Sequence, residues 1–305
     1  MLLSKEKLKG FGVFGKVAGI GVFAASLLTS AMAAVQPSPT GRDLSTAEDL
    51  YRRTEYQASL ALLDLKSRDA ATEFLIGRDL FMSGDFKKST EFLERAVADN
   101  PKSGEYMDWL GRAYGKRAET SSPLSAMGLA SKARQAFERS VALDPNNADA
   151  LSDLFDYYLD APGILGGGYD KAATVAQRIS QVDPVEGYFE EAKLAQKHRE
   201  YSSAEHHLRA AVEAAPHKVG TLLAYAKFLA NQGRNKESDA VFEQARQIAP
   251  ESPAVWYAQA DVFVRQRRNL DQAKTLLQRY LNASLTVDDP SKEDAQRLLK
   301  QVGGA

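Results

Sequence analysis

The first candidate for chemistry is a glycine-rich run, Ala161-Pro162-Gly163-Ile164-Leu165-Gly166-Gly167-Gly168, just ahead of a helical pattern at Asp170. Free amides at a helix start, with Lys171 beside them, could hold an anion. The surroundings that phosphate binding needs are missing: no Lys-Ser/Thr follows in P-loop register and no strand precedes the run. Glycine's permissive backbone makes a structural turn the better reading. The histidines are His198, His206, His207 and His217. Adjacent His206 and His207 project about 100° apart on a helix, so they do not converge as an i, i+4 pair does. Glu205-His206-His207 lacks the metalloprotease order, and a solvated helix face is expected there. No serine stands in a G-x-S-x-G setting, and the carboxylates are scattered over helix surfaces. These patterns predict no catalytic residue, no metal site and no cofactor.

One polar and aromatic group remains. Tyr114, Lys116, Arg117, Tyr157, Tyr158 and Tyr169 flank two irregular stretches, 115–126 and 161–168. A closed pocket there would make the chain a small-ligand binder or an enzyme, and this is the alternative reading.

The elements that carry these residues follow a beat. Pro101, Pro145, Pro184, Pro216 and Pro250 each close a segment. Twelve, eight and five positions before them stand Ser89/Leu93/Ala96, Ala133/Phe137/Ser140, Ala172/Ala176/Ile179, Ala204/Leu208/Ala211 and Ser238/Phe242/Ala245. Offsets of four and three lie on one helical face, and the order small, large, small breaks only in the third set. A small residue also stands twelve positions before some of these faces: Gly77 before Ser89, Ala192 before Ala204, Ala226 before Ser238. Small side chains let two helix backbones approach while bulky ones fill the adjacent holes. From Leu44 onward helical periodicity alternates with short breaks, with no alternating β run. This predicts an all-α, right-handed solenoid of stacked helical hairpins.

The chain resembles the tetratricopeptide repeat family, whose units carry Leu-Gly and Tyr in the first helix, Ala, Phe and Ala in the second, and a closing Pro. Ile76-Gly77, Leu110-Gly111 with Tyr114, and Trp256 match that pattern. Units fall at 44–69 (degenerate), 70–103, 104–147, 148–184, 185–218, 219–252 and 253–286, so the array spans 44–286. A closing helix over Ser291 to Val302 lies in the tail 287–305. Two units are long. Gly115 to Ala126 separates one helix pair, with Ser122-Pro123 as N-cap and first helical residue, and 161–168 interrupts the next. Successive insertions should be neighbours on one edge.

The resemblance implies that ligands lie against an inner face lined by first helices. Fifth positions of the units are Phe74, Asp108, Ser152, Phe189, Leu223 and Tyr257; ninth positions are Arg78, Arg112, Asp156, Lys193, Lys227 and Asp261. Four apart, the two sets share a stripe. Its apolar anchors and charges suit an extended peptide or a partner helix. Phe74, Arg78, Asp108, Arg112, Asp156, Phe189, Lys193, Lys227 and Tyr257 are the candidate partner-binding residues. Family members that clamp a chaperone tail use lysines and asparagines; Asp108 and Asp156 on this stripe argue against that role.

The start of the chain has a different character. Lysines 5, 7, 9 and 16 against Glu6 give residues 1–33 a net charge of +3, an apolar stretch runs from Val17 to Thr29, and Ala31-Met32-Ala33 ends it. This is the pattern of an export signal cut before Ala34. Thirteen apolar or small residues are short of the roughly 20 a bilayer span needs, so membrane contact is expected only if the segment stays uncleaved. Residues 34–43 read as a flexible tether. Taking that +3 from the formal −1 leaves −4 on the rest, no electrostatic basis for nucleic acid. The absence of cysteine excludes disulfides, thiolate metal sites and lipobox acylation. The expected protein is an exported, periplasmic or secreted, non-catalytic scaffold for a protein or peptide partner in an envelope complex. An adaptor that oligomerises through its ends is a third possibility.

Overall fold

The computed structural model describes residues 41–303; the expected export signal, 1–33, and residues 34–40 of the expected tether lie outside them. Every α-helix pairs with a sequence neighbour. The first hairpin is α1 (Gly41–Arg52) and α2 (Tyr56–Ala61). Next come α3 (Ala70–Met82) with α4 (Phe86–Asp99), α5 (Gly104–Thr120) with α6 (Pro123–Leu143), and α7 (Ala148–Asp160) with α8 (Tyr169–Val182). The last three pairs are α9 (Pro184–Lys197) with α10 (Tyr201–Ala214), α11 (Val219–Asn231) with α12 (Asn235–Ile248), and α13 (Pro253–Arg265) with α14 (Leu270–Leu281). Helix α15 (Lys292–Gly303) ends the array. No strand occurs among the described residues, and none of their helices is long and apolar enough to cross a membrane. The last three tether positions, 41–43, belong to α1 rather than to an extended segment.

Local signals set the helix starts. Asp69, Asp85, Ser103, Asn147 and Asp183 each accept a backbone N–H from the first turn that follows. Pro123, Pro184 and Pro253 stand in the opening turn, where a missing N–H costs nothing. Five of the seven hairpins, all but α5/α6 and α7/α8, reverse through one shared turn. Its residue in the left-handed region is followed by an N–H that reaches the carbonyl five positions back: Glu55 to Leu50, Asp85 to Leu80, Glu200 to Ala195, Arg234 to Leu229 and Arg268 to Phe263, at 2.8–3.0 Å. Gly84 and Gly233 hold that conformation freely, whereas Thr54, Arg199 and Arg267 hold it against their Cβ. The six-residue α2 therefore belongs to a unit that turns as most full ones do.

All fifteen residues of the small-large-small sets are buried. A Cβ on Gly77 would lie 2.6 Å from Leu93 Cγ, and one on Gly111 2.7 Å from the Phe137 ring, so each glycine is the hole that its neighbour fills. The recurring pattern is thus one continuous seam between first and second helices.

The insertion at 115–126 is not a loop. Helix α5 runs on to Thr120 and α6 starts at Pro123, so the extra residues lengthen both helices. A helix can lengthen without changing its periodicity, so the repeat pattern alone does not distinguish longer helices from a loop. Ser122 takes the N-cap position, although its hydroxyl bonds Ser125 and not a backbone amide. The second insertion folds into a 3-10 turn at Gly163–Leu165 that packs beside α6. A Cβ on Gly167 would fall 1.9 Å from the Ala161 carbonyl oxygen, so only glycine fits there.

The two ends of the array meet. Val287, between α14 and α15, packs on the cluster formed by Ala47, Tyr51, Tyr56, Leu63, Leu75, Ile76 and Leu80. The Tyr280 hydroxyl bonds the Pro290 carbonyl, and Asp289 accepts the Thr286 N–H at 2.9 Å, which fixes the loop that carries Val287.

Candidate functional site

First helices of successive units touch at every step but α9 to α11: α1 with α3, α3 with α5, α5 with α7, α7 with α9, and α11 with α13. Among the described residues no second helix touches the next second helix. Second helices splayed apart over first helices in contact put the first helices on the inner face.

That face is largely cross-linked by its own charges. Arg112 on α5 pairs with Asp108 at 2.8 Å and with Asp153 of the next unit at 2.6 Å, all three buried. Burial and the neighbouring Asp153 push the Asp108 carboxyl well above the usual range, against the pull of Arg112. Burial would lower Arg112, but Asp108 and Asp153 outweigh it and hold the guanidinium charged. One unit on, Lys193 on α9 reaches Asp156 on α7 at 2.7 Å and Glu190 at 2.9 Å; those acids outweigh burial and raise its pKa. Lys197 bonds Asp160 at 2.8 Å one turn further along the same stripe. Arg112 and Lys193 therefore tie neighbouring units together as well as facing inward.

The nine predicted residues divide. Phe189, Lys193 and Lys227 come together in a cleft of about 340 Å³ between α9, α11 and α13. Its walls are apolar (Phe189, Ala192, Ala224, Phe228, Val262) and its rim carries Lys193, Lys227, Asp261 and Arg265 with the amides of Gln196, Asn231 and Gln266. Gln266 donates to the Ala230 carbonyl at 2.6 Å and Arg265 to Asp261 at 2.7 Å, which fixes the rim. Asp156 joins this group through Lys193. Arg78, Asp108 and Arg112 line a second cavity near the closure of the ends. Phe74 is buried under Tyr106, ring centroids 4.1 Å apart, and Tyr257 packs on Tyr280 of α14 at 5.1 Å. The amides Gln196 and Asn231 were not predicted. Asn231 lies four positions after Lys227 and Gln196 three after Lys193, so following the stripe for one more turn would have reached both.

At the insertions the polar side chains do not converge. The Tyr114 hydroxyl donates to Glu94 on α4 at 2.5 Å, Tyr158 to Glu138 on α6 at 2.8 Å, and Tyr157 to the Leu165 carbonyl at 2.9 Å. Lys116 pairs with Glu119, and Tyr169 stacks on His198. Lys171, the cation beside the glycine run, donates to the Gly166 carbonyl at 2.8 Å. His207 pairs with Glu191 at 2.9 Å. Among the described residues no group of three or more His, Asp or Glu is placed to hold a metal ion.

A sequence model described as tetratricopeptide repeat matches residues 195–262, the stretch that carries much of the cleft. The matched stretch is tetratricopeptide repeat sequence, and the chain as a whole is an all-α solenoid of helical hairpins. A tetratricopeptide repeat protein from Parabacteroides merdae ATCC 43184 shares the fold at a TM-score of 0.53 and 14% identity, over 86% of this chain and 98% of that one. A thermophilic tetratricopeptide repeat protein of Thermus thermophilus does so at 0.52 and 20%, over 62% of this chain and 97% of that one. No curated protein matches the sequence. Two parts of the predicted stripe stay open: the cleft between α9, α11 and α13 and the cavity lined by Arg78, Asp108 and Arg112.

Proposed function

We propose that this protein is an exported, non-catalytic scaffold that holds a peptide or a partner helix against its inner face, within an envelope complex. The observation that carries the reading is the cleft of about 340 Å³, where apolar walls meet a rim of charges and amides, with Lys193 and Gln266 held by bonds to neighbouring units. Apolar walls supply the area to bury, rim amides can bond a ligand's backbone, and a rim held in place loses little freedom on binding. Export rests on the lysine-led apolar segment ending in Ala31-Met32-Ala33. The N-terminal residue of the mature protein checks it: Ala34 is expected, and an intact Met1 overturns cleavage.

Ala224 tests the groove. It is half-buried on α11 and lines the cleft, so Ala224→Trp fills the space without removing a core contact. Partner capture from envelope extract should fall at least about tenfold with the melting temperature preserved, the size of effect expected when a central apolar contact is blocked. Unchanged capture by a folded variant contradicts the groove.

A further inference from the structure

The second inner-face cavity, about 470 Å³, exists because the ends of the array meet: Tyr51 of α1, Arg78 of α3, Trp109 and Arg112 of α5, and Asp288 of the closing loop all line it. Arg78 is its unusual member. The guanidinium carbon lies 4.0 Å from the Tyr51 ring centroid, 5.0 Å from Trp109 and 5.2 Å from Phe74. Arg112, by contrast, spends its charge on Asp108 and Asp153. Arg78 Nε is buried with no hydrogen-bond acceptor, while the Tyr51 hydroxyl accepts a side-chain hydrogen bond from the group. A guanidinium clamped by its faces, with one N–H given to a hydroxyl, still has N–H donors left for a planar anion. The remaining charge around the cavity is opposite in sign: Glu105, Asp144, Asp149 and Asp288 line it too. Such a rim repels a polyanion and attracts a cation lying close to the bound anion.

We propose that this cavity recognises a carboxylate followed directly by a cationic side chain, such as a Glu-Lys step in a partner peptide. The carboxylate sits on the Arg78 edge beside Trp109, and the cation reaches Asp149 and its neighbours on the rim. The site is separate from the cleft between α9, α11 and α13 and does not depend on it.

The indole N–H resonance of Trp109 in the full protein, assigned with Trp109→Phe, reads this directly. Acetyl-Glu-Lys-amide should move it saturably, while acetyl-Gln-Gln-amide and inorganic phosphate should not. Arg78→Gln and Asp149→Asn should each weaken the response at least about tenfold, as loss of a charge-assisted bond does. Should Arg78→Gln lose its helical signal, half-exposed Asp149 supplies the comparison alone. An undiminished response in folded variants, an equal response to phosphate or to the neutral peptide, or no response at all overturns the proposal.

Discussion

The Ser89 hydroxyl donates to the carbonyl oxygen of Gly77, twelve positions earlier and 2.8 Å away, and so bolts the second helix of a unit to the first. Ser238 makes the same bond to Ala226 at 2.8 Å. The offset of twelve that recurs along the sequence is therefore a contact. Its small residues let the backbones close until a side-chain oxygen can reach a main-chain carbonyl.

Removing that bolt should be measurable and mild. The Gly77 and Ala226 carbonyls lie inside helices, so losing the serine leaves each its helical environment. Ser89→Ala and Ser238→Ala should each cost about 1 kcal/mol in urea unfolding. Because the sites lie in different units, the double variant should cost close to their sum.

Arg112→Glu should be far more costly. It would place three acids, with Asp108 and Asp153, where a buried pairing now neutralises charge. A loss of about 3–5 kcal/mol is expected, read as a drop in melting temperature. This variant reports on stability and cannot serve as a probe of partner binding.

Stability should also depend on Asp79, which anchors α3 to the short α2. Its carboxylate accepts the Ser59 hydroxyl at 2.7 Å, and burial pushes its pKa up to about 7, with Ser59 and Arg78 opposing. A carboxyl raised on folding binds more protons in the native state, so its contribution is present below about pH 4 and is lost as pH rises through about 7. Raising pH from 5 to 8 should weaken the first hairpin by about 2–4 kcal/mol, seen as faster amide exchange in α2 and α3 relative to the other helices. Asp79→Asn, which fixes the neutral form, should flatten that dependence.

Much of the scaffold was legible because each contact within a unit repeats at a fixed offset. A sixth seam set, Ala273, Leu277 and Tyr280, is fully buried but escaped notice, since Leu285 stands where the closing proline would be. The candidate site was legible in part. Stripe membership follows from i, i+4 spacing, and it put Phe189, Lys193 and Lys227 on the face where all three line one cleft. It could not show that Arg112 is spent on Asp153 or Lys193 on Asp156, because those partners lie in other units whose lengths differ. Nor could it show Val287 against the apolar cluster of the first units, a contact set by small rotations accumulated over the whole array.

The central claim is that a partner lies on the inner face. A photoreactive benzoylphenylalanine placed in the native compartment tests it, once at exposed Asn231 on the cleft rim and once at exposed Gln244 on the second helix of the same unit. A discrete adduct from position 231, absent from 244 and lost with Ala224→Trp, is the expected result. Adducts of equal yield from both positions, or from 244 alone, would contradict the account.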